Sequence, residues 1–320
     1  MFKLLSIVCS FYLINVSSLK FTEYINKYNK EYSDDEITVR LSIYKDNLRK
    51  IQEHNEQNHS WKMDVNQFTD LTESEFKTKS GSICFDKNQK PVFYNFIQRP
   101  YEDLPETFDW VEKGAVTPVK DQQSCGSCYA FSTTGAVEGA YFVATGKLVS
   151  LSEQQIVDCS SSYGNQGCNG GLMNYGFDFI KNKGICLEKD YSYKAVTGLC
   201  KKCKSVTKVS SYVNVQPYDE IALQQAVYNS PVSIAIEADT SIFQSYSSGV
   251  MDSDSCGTSL DHGVLVVGWG TLNGKKYWKV KNSWGSSWGD KGYILLGRGN
   301  NICGLATEPS YPVINKSNLY

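Results

Sequence analysis

The chain has 320 residues, 41% hydrophobic and 21% charged, with a formal net charge of -2. This is ordinary globular composition, long enough for a sizeable core and more than one compact unit. A near-neutral balance with scattered lysines and no basic block argues against nucleic acid or a membrane surface as partner, and no internal repeat or low-complexity tract is present.

Met1, Phe2 and Lys3 precede an apolar run from Leu4 to Val16. That run is shorter than the roughly 20 residues that span a bilayer. With a positive start and small residues at Ser17 and Ser18 it predicts a secretory signal peptide over 1–18. No later stretch is apolar enough for a membrane helix, so a soluble mature chain without a membrane anchor is expected.

From Lys20 to about Arg99 the chain is charged and helical in character. Ile37, Leu41, Tyr44, Leu48 and Ile51 recur at three- and four-residue steps, giving one helical face, and Ser33, Asp34, Asp35 and Glu36 supply the N-cap and first-turn acids. Gly81 and Ser82 break the pattern, and the run from Pro91 to Pro105 reads as an exposed linker. Asn58 and Asn315 begin glycosylation sequons.

After Leu104 the character changes. Cys128 to Val143, rich in Ala, Gly and aromatics, predicts a buried helix, and Leu151 to Asp158 and Met173 to Lys181 predict two more. From about Val213 the pattern turns to strands at Val232–Ile236, Gly263–Gly268, Lys276–Val280 and Gly292–Leu296, with a turn at Asn273 and Gly274. A helical half followed by a strand-rich half implies an α+β protein with a cleft between them.

Eleven cysteines suit an oxidising compartment. Beyond Cys9 and Cys84, the cysteines from Cys125 onward are odd in number, which flags one leftover reactive thiol without saying which. His262 is the sole histidine after Leu104, so imidazole chemistry in the C-terminal body must use it. Around Cys128 the chain reads Gln122, Gln123, Ser124, Cys125, Gly126, Ser127, Cys128, Tyr129. A Cys-x-x-Cys of this kind also fits a redox pair or half of a zinc site, with Cys200 and Cys203 as the second pair, but neither explains the settings of Gln122, His262 and Asn282.

That run matches the nucleophile signature of papain-like cysteine proteases, which places a histidine and an asparagine roughly 130–150 residues downstream. His262 meets this, and Asn282 lies slightly beyond it in Lys281, Asn282, Ser283, Trp284, Gly285. Leu104 to Trp110 resembles the start of a mature enzyme of that family. Glu36, Arg40, Tyr44, Asn47, Ile51 and Asn55 resemble its interspersed pro-segment motif, and Asn66, Phe68 and Asp70 its shorter one. From about Lys20 to Val313 the chain therefore resembles a papain-family precursor of the cathepsin L-like branch.

The resemblance implies a signal peptide (1–18), an inhibitory helical pro-segment (19–103) and a catalytic domain (104–320). The domain would be a papain-like two-lobed fold, a helical lobe (about 115–212) packed against a β-barrel-like lobe (about 213–314) with the active site in the cleft. It implies a cysteine endopeptidase made as a zymogen, with Cys128 as nucleophile, His262 as acid and base, Asn282 orienting the histidine, and Gln122 in the oxyanion hole. Trp284 would shield the His262–Asn282 bond. Gly170, Gly171, Leu172, Met173, Ala235, Asp261, Gly263 and Glu308 would contact substrate, the second pocket taking bulky apolar side chains and, through Glu308, arginine. Cys125–Cys168, Cys159–Cys200 and Cys256–Cys303 would pair, leaving Cys186 and Cys203 for an additional bridge.

No cofactor or metal is implied. The expected partners are protein and peptide substrates, the chain's own pro-segment and cystatin-type inhibitors, acting on a monomer in the secretory pathway, in a lysosome-like compartment or outside the cell. The competing reading is a catalytically inactive papain-like binding or inhibitor protein. Against the family pattern, Tyr129 stands for a usual Trp, Gln123 for a common Gly, and Tyr44 and Asp64 for a usual Phe and Gly. Cys84 is unusual.

Overall fold

A computed structural model describes residues 19–79 and 104–315. The expected signal peptide, the break at Gly81 and Ser82, Cys84 and most of the linker-like run lie outside the described residues.

Helix α1 runs over 19–27 and α2 over Asp34–Glu56, the latter opened by a reciprocal capping box between Ser33 and Glu36. Tyr44, Asn47 and Ile51 are its buried residues. Ile37, expected on the buried face, is 43% exposed. It lies in the first turn, ahead of the small core that Phe21, Tyr24 and Tyr44 build where α1 crosses α2. Strand β1 (Trp61–Met63) and helix α3 (Glu73–Lys79) follow. Trp61, Leu71 and Phe76 are buried in the main core rather than in the small one, so this upstream segment is packed into the body.

The body begins with the short strand β2 (Phe108–Asp109) and a helical part built from α4 (Cys128–Thr145), α5 (Glu153–Cys159) and α6 (Met173–Lys183). The expected helices are all present, each within a few residues of its predicted bounds. Helix α4 is buried through its first three turns because it lies between the two halves of the molecule. Cys125–Cys168, Cys159–Cys200 and Cys186–Cys203 fasten the loops of this half, and Cys256–Cys303 fastens the other. The additional bridge is therefore formed, and it removes the metal and redox alternatives: Cys200 and Cys203 are spent in different disulfides, and Cys125 is paired away from Cys128.

The strand-rich part comprises β3 (Ser211–Asn214), α7 (Glu220–Asn229), β4 (Val232–Ile236), α8 (Ser241–Ser245), β5 (Tyr246–Met251), β6 (His262–Leu272), β7 (Lys275–Lys281), β8 (Tyr293–Gly297) and β9 (Ser310–Val313). The strands order as β1-β5-β8-β7-β6-β4-β9-β3, with β2 also on β6. This path ends at β1 and β3 and does not close, so "barrel-like" overstates the geometry: the fold is papain-like and two-lobed, with an open sheet. Strand β1 of the upstream segment extends that sheet by pairing with β5 (Trp61↔Gly249, Lys62↔Ser248). Gly249 permits it. Its φ is +83°, and a Cβ there would lie 2.8 Å from the Trp61 Cα.

Candidate active site

Cys128 is the first residue of α4, where the helix N-terminus presents its positive end. Cys125–Cys168 ties the preceding loop down, and Gly126 N–H donates to Cys168 O at 2.9 Å. Tyr129, fully buried, donates its hydroxyl to Gly167 O at 3.0 Å. The residue standing for the family's usual Trp thus adds a polar tie to the same loop. Gln123 has a φ of +55°, in the left-handed region that costs a side chain but not a glycine, which accounts for the family's preference there. Its N–H donates to Asp121 Oδ1 at 2.8 Å.

Gln122 is held at every polar atom but one amide hydrogen. Its N–H donates to Ser283 O (2.8 Å), Ser283 Oγ donates to Gln122 Oε1 (2.7 Å), Tyr193 Oη donates to Gln122 O (2.7 Å), and Nε2 donates to Cys125 O (3.1 Å). Ser283 and Tyr193 were not singled out from sequence. Ser283 sits inside the noticed run from Lys281 to Gly285; Tyr193 carried no local signal.

His262 opens β6 opposite Ile236 of β4, and the β6–β7 register (Leu265↔Lys281) brings Asn282 alongside. His262 Nε2 lies 2.7 Å from Asn282 Oδ1, which also accepts Ser283 N–H at 2.7 Å. An amide oxygen only accepts, so Nε2 carries the hydrogen and Nδ1 of a neutral ring holds a lone pair. Nδ1 is buried without a hydrogen-bond partner. Trp284 stacks on the imidazole at 4.7 Å between centroids. Gly263, next to His262, packs on Cys128: a Cβ there would lie 3.4 Å from the Cys128 carbonyl.

Cys128 and His262 are both 0% exposed. Burial pushes the thiol up to about 12, against hydrogen bonds from backbone N–H groups, and pushes the imidazole down to about 4 against its bond to Asn282. Burial therefore opposes the charged form of each group.

The upstream segment packs against Trp284, which lies on the imidazole. Phe68 and Phe76 stand edge-on to Trp284 at 5.6 and 5.5 Å, and Gln67 Nε2 donates to Trp284 O at 2.6 Å. Asn66 Nδ2 donates to Gln244 O, and Gln244 Nε2 returns bonds to Phe68 O and Leu71 O. Of these upstream residues Gln67, Leu71 and Phe76 were not foreseen.

Of the expected pocket residues, Ala235 and Met173 lie beside Gly263. Gly263 pairs with Ala235 across β4–β6, and a Cβ on it would lie 3.2 Å from Met173 Sδ. Leu172 is the N-cap of α6. The wall holds Gly170 at φ +111° and ψ −180°, a conformation reserved for glycine, with Gln166 N–H donating to Gly170 O at 2.8 Å. Glu308 lies two residues before Ser310, which pairs with Ser233 of β4. It keeps solvent access, and burial of its carboxyl by surrounding protein raises it above the usual carboxylate range. The Asp261 carboxylate accepts Ala238 N–H (2.8 Å) and Asp239 N–H (3.3 Å).

Beneath the site lies a buried ionic cluster that no local pattern announced. Lys120 pairs with Glu138 (3.0 Å) and Glu153 (2.6 Å), and Lys281 Nζ donates to Thr117 Oγ1 (3.0 Å). Burial pulls Lys281, the residue before Asn282, down to about 8.

A family model described as "Papain family cysteine protease" matches residues 104–313, and one described as "Cathepsin propeptide inhibitor domain" matches 21–76. The chain is 51% identical over 288 residues to the cysteine proteinase RD21A of Arabidopsis thaliana, with 87% of this chain aligned; it spans 62% of that relative's length. It is 46% identical over 310 residues to a cathepsin L-like peptidase of Aedes aegypti, covering 90% of this chain and 91% of that one. The proform of the ragweed pollen cysteine protease Amb a 11 superimposes with a TM-score of 0.88 at 39% identity, covering 94% of this chain and 95% of the other.

Proposed function

Because the chain belongs to the papain family of cysteine proteases and carries a cathepsin-type propeptide domain, we propose that it is the zymogen of a cysteine endopeptidase whose nucleophile is Cys128. The observation that carries this is the His262–Asn282 pair: Nε2–H is fixed on Asn282 Oδ1, so the bare Nδ1 is the atom left to serve the thiol.

Removal of the pro-segment readmits water, and with it the helix N-terminus favours a thiolate and a protonated His262. The thiol proton passes to Nδ1. The sulfur attacks the scissile carbonyl carbon, and the oxygen that becomes negative accepts from the Cys128 N–H and the free amide hydrogen of Gln122. The C–N bond breaks as His262 gives its proton to the departing amine, leaving a thioester on Cys128. Water then attacks the thioester, losing a proton to His262, and the acid departs as the thiol is restored. An asparagine suffices to orient the ring because the thiolate already compensates the imidazolium.

The pocket of Leu172, Met173, Ala235 and Gly263 takes a bulky apolar side chain, and Glu308 at its rim accepts arginine. The destination is the secretory pathway, lysosome-like or extracellular, and the enzyme acts as a monomer open to cystatin-type inhibitors. A peptidyl epoxide probe with leucine in the second position tests the central reading. Labelling of matured enzyme, absent in Cys128→Ala, supports it; no labelling of wild type refutes it in favour of a binding protein. Unchanged arginine acceptance in Glu308→Ala would refute the pocket assignment alone.

A further inference from the structure

We propose that Asp239, backed by Asp261, selects a lysine or arginine on the leaving-group side of the scissile bond, and that Lys77 of the pro-segment occupies this place in the precursor. The proposal rests on the endopeptidase reading and extends it to the other half of the cleft.

The β4–β6 register sets the location. Ala235 pairs with Gly263 at the second pocket, and Ile236 pairs with His262. One step further, Asp261 N–H donates to Ile236 O at 2.9 Å, and the Asp261 carboxylate accepts the N–H groups of Ala238 and Asp239. Residues 237–239 therefore lie past His262 from the second pocket, where the amine departs. Helix α3 gives the same answer independently. Phe76 packs on Trp284, which covers His262, and its neighbour Lys77 forms an ion pair with Asp239.

The charge balance points to a basic ligand. Glu237 has its carboxylate engaged by Ser259 N–H, and Asp261 is occupied by two backbone donors, whereas the Asp239 carboxylate is engaged by Lys77. The hydrogen bond to Asp239, with the added fields of Asp239, Asp261 and Glu237, holds Lys77 above the ordinary lysine range. Among the described residues no lysine or arginine of the catalytic body forms an ion pair with Asp239; its cation comes from the segment that leaves. Once Lys77 has gone, the acidic group beside His262 lacks a counter-charge, and a substrate lysine or arginine restores it. The Asp239 and Glu237 carboxylates also repel an acidic residue at that place.

The test uses internally quenched peptides with leucine in the second position before the bond and Lys, Gln or Glu at each of the two positions after it. Matured wild-type enzyme is expected to show a Lys-to-Gln ratio of kcat/KM of about fivefold, the upper end for a partly exposed ion pair, with Glu below Gln. Asp239→Asn should bring that ratio close to one, and Asp239→Glu should retain a preference for Lys. A wild-type ratio near one at both positions, or a ratio that Asp239→Asn leaves intact, overturns the inference. A peptidyl amide that ends at the scissile bond separates the two failures: wild type that cleaves it without a Lys preference defeats this inference alone, whereas wild type that does not cleave it defeats the endopeptidase reading.

Discussion

Phe76→Ala should loosen the lid without touching the catalytic body. Phe76 is 0% exposed, edge-on to Trp284 at 5.5 Å and to Phe68 at 5.3 Å. In the opened precursor the ring is solvated, so truncation weakens only the closed state. Removing a buried Phe costs roughly 3–5 kcal/mol, part of it from its aromatic pairs. The lower figure, about 3 kcal/mol, corresponds to roughly a hundredfold rise in the opening constant. Cys128 and His262 are both inaccessible in the closed form, so an epoxide probe reacts only after opening, and its labelling rate at neutral pH reads that constant. The variant precursor should label roughly a hundredfold faster than wild type. Matured enzymes from both, identical in sequence, should label equally, and near-UV circular dichroism of the precursors guards against misfolding. A variant precursor within threefold of wild type would refute the view that Phe76 on Trp284 holds the site shut.

Asp70 supplies a pH prediction. Against burial, hydrogen bonds from Tyr24 (2.6 Å) and Tyr32 and the Lys30 ion pair (3.0 Å) hold its carboxyl below the usual range. Its contribution is thus complete above the unfolded value of about 3.9 and is lost only as pH falls through the lower folded value. Asp70→Asn should raise the pH midpoint of maturation by about one unit; an unmoved midpoint counts against the account. Gln122→Ala should lower kcat/KM by roughly a hundredfold to a thousandfold, measured on a peptidyl amide, and a loss below threefold would remove Gln122 from the oxyanion hole. Cys186→Ala/Cys203→Ala, which opens a loop with a sequence separation of 17, should cost about 3 kcal/mol in denaturant unfolding of probe-blocked enzyme. Less than 1 kcal/mol would make the bridge incidental. Because burial raises the Glu308 carboxyl, its pairing with arginine should fade as pH drops through that raised value. The arginine-to-leucine ratio in the second position should therefore rise with pH, and a flat profile would place Glu308 outside the pocket.

Much of this was legible one residue at a time. The odd cysteine count and the lone downstream histidine marked a free thiol and its base, because disulfide pairing and imidazole chemistry leave few other uses for them. Composition located α4, and apolar runs bounded by turn residues located the long strands. The sequence by itself thereby determined the elements and the family, and marked the groups proposed to react. Tertiary structure decided what those groups experience. The Asn282 oxygen selects which imidazole nitrogen bears hydrogen only because the β6–β7 register places it there, and Ser283 and Tyr193 clamp Gln122 across long stretches of chain. The ionic cluster of Lys120, Glu138, Glu153 and Lys281, and the ion pair between Lys77 and Asp239, join residues with no local relation. Burial and Coulomb energy depend on distance and dielectric, and both are set by packing from every side of a group, which linear order does not encode.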